Sequence, residues 1–126
     1  MLNANTKLAL DPTTSTLVAV DAAKRQPLSE VAQIRHIHSD GVYIKAFRVP
    51  AGLQFYTKRF ADEHVSILGQ GSVIIEKGDK KFKVVAPAHV VIDAMTRCKI
   101  ITLEDSVWYC IHVTTETDQA VLDELY

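Results

Sequence analysis

Residues 52–71 read GLQFYTKRFADEHVSILGQG, and the order of residue types in this stretch decides the fold. Gly52 opens a run from Leu53 to Phe60 that is rich in apolar and aromatic side chains. The polar turn Ala61-Asp62-Glu63 interrupts it, and a second apolar run, Val65 to Leu68, follows before Gly69 and Gly71. Short apolar runs bounded by turn residues are the pattern of strands, whereas helices need longer segments with a 3.6-residue period. The stretch therefore predicts strand, turn, strand.

The same punctuation repeats on both sides of it. Val42–Val49, Val73–Glu76, Phe82–Val85, His89–Ile92, Cys98–Leu103 and Val107–Thr114 are further short runs rich in β-branched residues. With the two central runs they make eight expected strands, spaced closely enough for a sandwich or a small barrel. Lys77-Gly78-Asp79-Lys80 predicts a hairpin turn, because glycine takes a positive φ without a steric penalty. Residues 1–35 carry Pro12, Pro27 and the Thr13–Thr16 cluster. They are expected to form an extended N-terminal arm with one apolar stretch, Leu17–Val20, leaving residues 36–126 as the barrel. Thr117 or Asp118 can cap a final helix over Gln119–Tyr126, with Val121, Leu122, Leu125 and Tyr126 as its apolar stripe.

Composition narrows the function classes. The 126 residues suit one domain with a single core, and 48% hydrophobic with 23% charged residues is the balance of a water-soluble globular chain. A formal net charge of −1 gives no electrostatic case for nucleic acid or an anionic membrane. Met1–Pro12 lacks the basic stretch and apolar block of a secretory signal, so an intracellular location is expected. In that compartment Cys98 and Cys110 are expected to be reduced thiols. No Gly-x-Ser-x-Gly elbow, Walker loop or dinucleotide-binding glycine fingerprint is present. The acidic pairs Asp62-Glu63 and Glu104-Asp105 read as solvated turns.

From about Gly41 to Tyr126 the chain resembles the small single-domain cupins encoded in tailed-phage and prophage genomes. The residues that carry the resemblance are Gly41-Val42-Tyr43, Val49-Pro50-Ala51-Gly52, His64 with the strand that runs on to Gly71, Ala86-Pro87, Glu104-Asp105-Ser106-Val107-Trp108, Ile111-His112-Val113-Thr114 and the acidic Glu116-Thr117-Asp118. The resemblance implies an all-β, cupin-type double-stranded β-helix, or jelly-roll barrel. It also implies a homo-oligomer, contacts with other phage proteins, and a place in the cytoplasm of the infected bacterial cell or in the virion.

Against the first cupin motif, G(X)5HXH(X)3-4E(X)6G, the glycines fall at Gly52 and Gly71 while the metal-ligand positions hold Lys58, Phe60 and His64. Against the second, G(X)5PXG(X)2H(X)3N, Asp93, Met95, Cys98 and Thr102 stand at the Pro, Gly, His and Asn positions. The frame is kept and the usual metal site is degenerate. A divalent ion in a cupin needs several imidazoles and a carboxylate together, and Phe60 offers no lone pair.

Strand parity and the resemblance together place Lys58, Phe60, His64, Cys98, Trp108 and His112 around one cavity, with Ser66, Leu68 and Cys110 continuing the same faces. Lys58 reads either as a surface lysine or as a pocket cation for a carboxylate or phosphate. His64 reads as a hydrogen-bonded core histidine, a general base or a metal-site remnant. Cys98 reads as a small buried hydrophobe, or as a thiolate completing a soft divalent-metal site with His64 and His112. His36 and His38 would point to one side of a strand at the junction of arm and barrel, in a surface or interface role.

No cofactor is expected, and two functions stay open. One is a non-catalytic binding or structural module that uses the barrel as a scaffold for self-assembly or partner contacts. The other is a cupin enzyme or small-molecule-binding protein acting in the cavity.

Overall fold

Alternation of buried and exposed side chains along successive strands builds two facing sheets. A computed structural model describes residues 7–8, 17–21 and 24–126, and the side chains of residue 28 and of residues 30–126. In the first sheet the strand order is β1 (Lys7–Leu8), β10 (Ala88–Ala94), β7 (His64–Gln70), β12 (Ser106–Val113), β5 (Val42–Val49) and β4 (Gln33–Ser39). In the second it is β3 (Lys24–Pro27), β2 (Leu17–Asp21), β6 (Gln54–Tyr56), β11 (Lys99–Thr102), β8 (Ser72–Lys77) and β9 (Lys80–Val85). Helix α1 (Leu28–Val31) joins β3 to β4, and α2 (Gln119–Leu125) follows β12.

The core lies between the sheets. Ser106, Trp108, Cys110 and His112 alternate inward along β12, and His64, Ser66 and Leu68 along β7. The second sheet answers with Phe55, Val73, Ile75, Val84 and Ile100. Leu68 and Ile75 are essentially solvent-free, and burying each such side chain is worth about 1.5–3 kcal/mol. All eight expected strands are present, with Val42–Val49 matching residue for residue. The expected hairpin joins β8 to β9 with Gly78 at φ +59°.

Three expectations need correction. The run Leu53–Phe60 forms a strand only over Gln54–Tyr56, because Thr57 turns its hydrogen bonds to Cys98: its N–H donates to the Cys98 carbonyl at 2.9 Å and its Oγ1 accepts the Cys98 N–H at 2.9 Å. The arm is partly barrel, since Leu17–Asp21 pairs with β6, Lys24–Pro27 pairs with Leu17–Asp21, and the boundary expected at residue 35 falls inside β4. Residues 1–6, 9–16 and 22–23 of that arm lie outside the described residues. On α2 only Leu122 of the expected stripe is fully buried.

The two frame positions tested hardest by the backbone are Gly71 and Met95. Gly71 sits at φ +90°, and a Cβ there would meet the Asp105 carbonyl, Ser106 Oγ and, at 2.9 Å, Ser106 Cα. Met95 holds a left-handed φ of +65° although the motif's glycine is gone, and its N–H donates to the Phe60 carbonyl at 2.9 Å. Thr102, at the motif's asparagine position, pins the turn before β6: its Oγ1 donates to the Pro50 carbonyl at 2.7 Å and accepts the Leu53 N–H at 3.0 Å.

Candidate functional site

Register brings the polar side chains of the first sheet into rows on its inner face. His38 faces Tyr43, Tyr43 faces His112, and His64 faces Ile92. The pair Ile111–Val65 sets His112 beside His64. In this row the Tyr43 ring lies 5.3 Å from His38 and 6.1 Å from His112, and the His112 and His64 rings are 4.6 Å apart. The neighbouring row runs His36, Lys45, Cys110, Ser66.

Hydrogen bonds tie the two rows together. His64 Nε2 lies 3.1 Å from Ser66 Oγ, whose hydroxyl approaches Cys110 Sγ at 3.8 Å. Tyr43 OH pairs with His36 Nδ1 at 2.7 Å, and Gln119 Nε2 of α2 donates to the same phenol at 3.4 Å. Phe60, carried on the β6–β7 loop, places its ring 5.1 Å from both His64 and His112. Tyr126 closes the row from above, its ring stacked on His112 at 4.0 Å with 20° between the planes.

Two ammonium groups meet at this mouth. Lys45 Nζ donates to the main-chain oxygen of Tyr126 at 3.2 Å and Lys58 Nζ to the same oxygen at 3.4 Å. Burial lowers the pKa of both lysines, and the charge of Lys58 lowers that of Lys45 further. The Asp123 carboxylate acts on both in the opposite direction.

Burial also holds both imidazoles neutral. His64 is lowered to about 4 by desolvation, and His112 to about 3 by desolvation, then by His64 and Lys45. Each ring keeps one buried nitrogen without a hydrogen-bond partner, Nδ1 of His64 and Nε2 of His112. Buried polar atoms are nearly always satisfied, so this orphaned pair leaves two positions open to a polar partner or water.

Four of the six residues singled out from the sequence converge here: Lys58, Phe60, His64 and His112. Trp108 is buried four positions before His112 on β12, opposite Phe47 and Leu68, in the apolar core. Cys98 is buried in the same core at the Thr57 contact, and burial pushes its thiol up to about 12. Among the described residues no three His, Cys, Asp or Glu side chains are placed to hold a metal. His64, Cys98 and His112 therefore do not form the soft divalent site weighed above, and two ammonium groups at the mouth repel a cation further. The donor set present does not fit a cupin metal.

Sequence reasoning missed Lys45, Tyr43 and Tyr126 as site residues. Lys45 was legible as the one cation on the inward parity of Tyr43, Lys45, Phe47 and Val49. Nothing local tied Tyr126 to His112.

The fold has known counterparts among solved structures. A cupin-2 domain-containing protein from Shewanella frigidimarina superposes with a TM-score of 0.55 at 18% identity, over 65% of this chain and 80% of the other. KdgF from Halomonas sp. superposes with a TM-score of 0.61 at 15% identity, over 75% of this chain and 90% of that one. An acetylacetone dioxygenase from Acinetobacter johnsonii does so with a TM-score of 0.53 at 18% identity, over 65% of this chain and 59% of the other. The chain has the cupin fold. No protein-family model matches the sequence, and no curated protein matches it. Among the described residues no helix is long and apolar enough to cross a membrane.

Proposed function

We propose that this cupin barrel is a non-catalytic binding module that holds a small organic anion at its mouth. The carrying observation is that Lys45 and Lys58, both partly desolvated, converge on a single oxygen at the end of the described chain, beside the two inward imidazoles. Two cations so placed repel each other, and an anion between them removes that repulsion while gaining charge-assisted hydrogen bonds. The orphaned His64 and His112 nitrogens supply further polar contacts, and Phe60 and Tyr126 an aromatic wall. Neutral imidazoles without a paired acid favour binding over proton transfer.

The test is thermal denaturation with a panel of carboxylates and inorganic phosphate, on the native protein and on a Lys45→Met/Lys58→Met variant. A ligand at 100 times its Kd should stabilise the native protein by about 2.7 kcal/mol and leave the variant unmoved. Failure of every anion to raise Tm, or an equal rise in the variant, removes the reading.

A second reading, assembly of identical copies, is favoured by the outer face of the first sheet. There Ile37, Ile44, Ile111, Val65 and Val91 form one cross-strand row, with Ile37 and Val65 exposed and Val113 86% exposed beyond it. Such a row is an interaction surface. A second copy is the occupant we propose, because the row is uncharged and apolar, so the same patch can pack on itself in an isologous contact. A phage setting or a place in a virion rests on the sequence resemblance alone.

A further inference from the structure

At the ends of β5 and β12 away from the mouth, the surface carries a groove of about 260 Å³. Strand register builds its floor. Gln33 faces Arg48, Arg48 faces Val107 and Val107 faces Gln70, so four adjacent strands set these side chains in one row. Arg48 and Val107 point outward because their chain neighbours Val49 and Ser106 are buried in the core. Asp105 lies two positions before Val107 and so stands diagonal to Arg48, a spacing of about 7–8 Å between cross-strand neighbours.

Arg48 and Asp105 thus line one groove with opposite charges. Among the described residues they form no ion pair with each other or with any other side chain. The Asp105 carboxylate is held in place, because its Oδ1 accepts the Ala51 N–H at 2.8 Å. A simple anion is drawn to Arg48 and repelled by Asp105, and a simple cation the reverse; a ligand carrying both charges satisfies both. The size of the groove sets the size of that ligand. Pockets for drug-sized molecules run to about 300–1,000 Å³, so this one suits something smaller.

We propose that this groove binds a free α-amino acid with an aliphatic side chain. The guanidinium of Arg48 takes the carboxylate, and its planar fork matches the two oxygens. Asp105 takes the ammonium group. Val31 of α1, Pro50 and Val107 give the aliphatic side chain an apolar wall, and the carboxamides of Gln33 and Gln70 offer a donor and an acceptor at the rim. The site is independent of the anion-binding reading above, since neither Lys45 nor Lys58 lines it.

The test is a proton–nitrogen NMR titration with L-leucine, which reads weak binding and locates it, on the native protein, Arg48→Gln, Asp105→Asn and Lys45→Met/Lys58→Met. Leucinamide, which lacks the carboxylate, and N-acetyl-leucine, which lacks the ammonium group, are the controls. Leucine should shift the amides of Arg48, Val107 and Gln70 and bind the native protein about tenfold tighter than either control, because each control loses one charge-assisted contact. Arg48→Gln and Asp105→Asn should each weaken leucine binding about tenfold, and the double lysine variant should bind as the native protein does. Asp105→Asn keeps an oxygen for the Ala51 N–H, so its loss reads charge rather than folding, and circular dichroism confirms that each variant retains its strands. Equal affinity for leucine and either control overturns the ligand class. Binding unchanged in both groove variants, or lost only in the double lysine variant, overturns the site. Absence of any shift at the three amides overturns the proposal as a whole.

Discussion

His64 and His112 set the acid limit of this barrel. Both have folded-state pKa values below the 6.5 of a free imidazole, about 4 and about 3, because burial disfavours the charged ring. Above pH 6.5 both states are neutral and these groups add no pH dependence. As the pH falls below 6.5 the unfolded chain takes up protons that the folded chain refuses, so stability declines until the folded pKa is passed. Between pH 6 and 4 each ring should lower stability by about 1.4 kcal/mol per pH unit. Urea titrations across that range on the native protein and on His64→Leu check this. The variant should show roughly half the slope, and an unchanged slope would assign acid sensitivity to other groups. At this scale the sequence exposed the inward histidines through strand parity alone. The same parity places Lys45 inward, but its role depends on facing Cys110 across a strand pair and on meeting an oxygen eighty-one residues away.

Elements were more legible than sites, because alternation and turn chemistry are local. The β5 strand and the α2 helix, with Asp118 Oδ1 accepting the Ala120 N–H at 2.9 Å as its cap, follow from runs a few residues long. The early end of β6 does not, since it is set by Thr57 gripping Cys98, just before β11. Strand β4 was not among the eight expected runs, although His36 and His38 were read as sharing one side of a strand there, because its side chains are mostly exposed and its pattern reads as polar. Gly71 shows how tightly one element end is fitted. Gly71→Ala should cost about 2 kcal/mol or more, from the left-handed backbone together with the clash against Ser106 and Asp105. A urea midpoint that falls with unchanged m-value is the expected result; an unaltered midpoint would mean that the β7–β8 turn relaxes freely.

For the molecule as a whole, the outer row of the first sheet predicts association. Ile111→Lys, at the centre of the row and pointing away from the cavity, should convert an oligomer to monomer in sedimentation velocity without loss of β-type circular dichroism. A native protein that sediments as a monomer at all concentrations ends that reading. The fold class was readable from the spacing of strands and turns. The division into arm and barrel was not, because the pairing of Val18 and Ala19 with β6 is a long-range contact between the arm's short apolar stretch and a distant strand.

The two cysteines lie on opposite sides of the barrel, Cys110 in β12 of the first sheet and Cys98 beside β11 of the second, and both are buried thiols with raised pKa values. Oxidants and alkylating reagents act on the thiolate, so the closed barrel offers them nothing to attack. Thiol modification is consequently gated by breathing of the sheets: each cysteine becomes a clock that advances only when the part of the barrel that covers it opens.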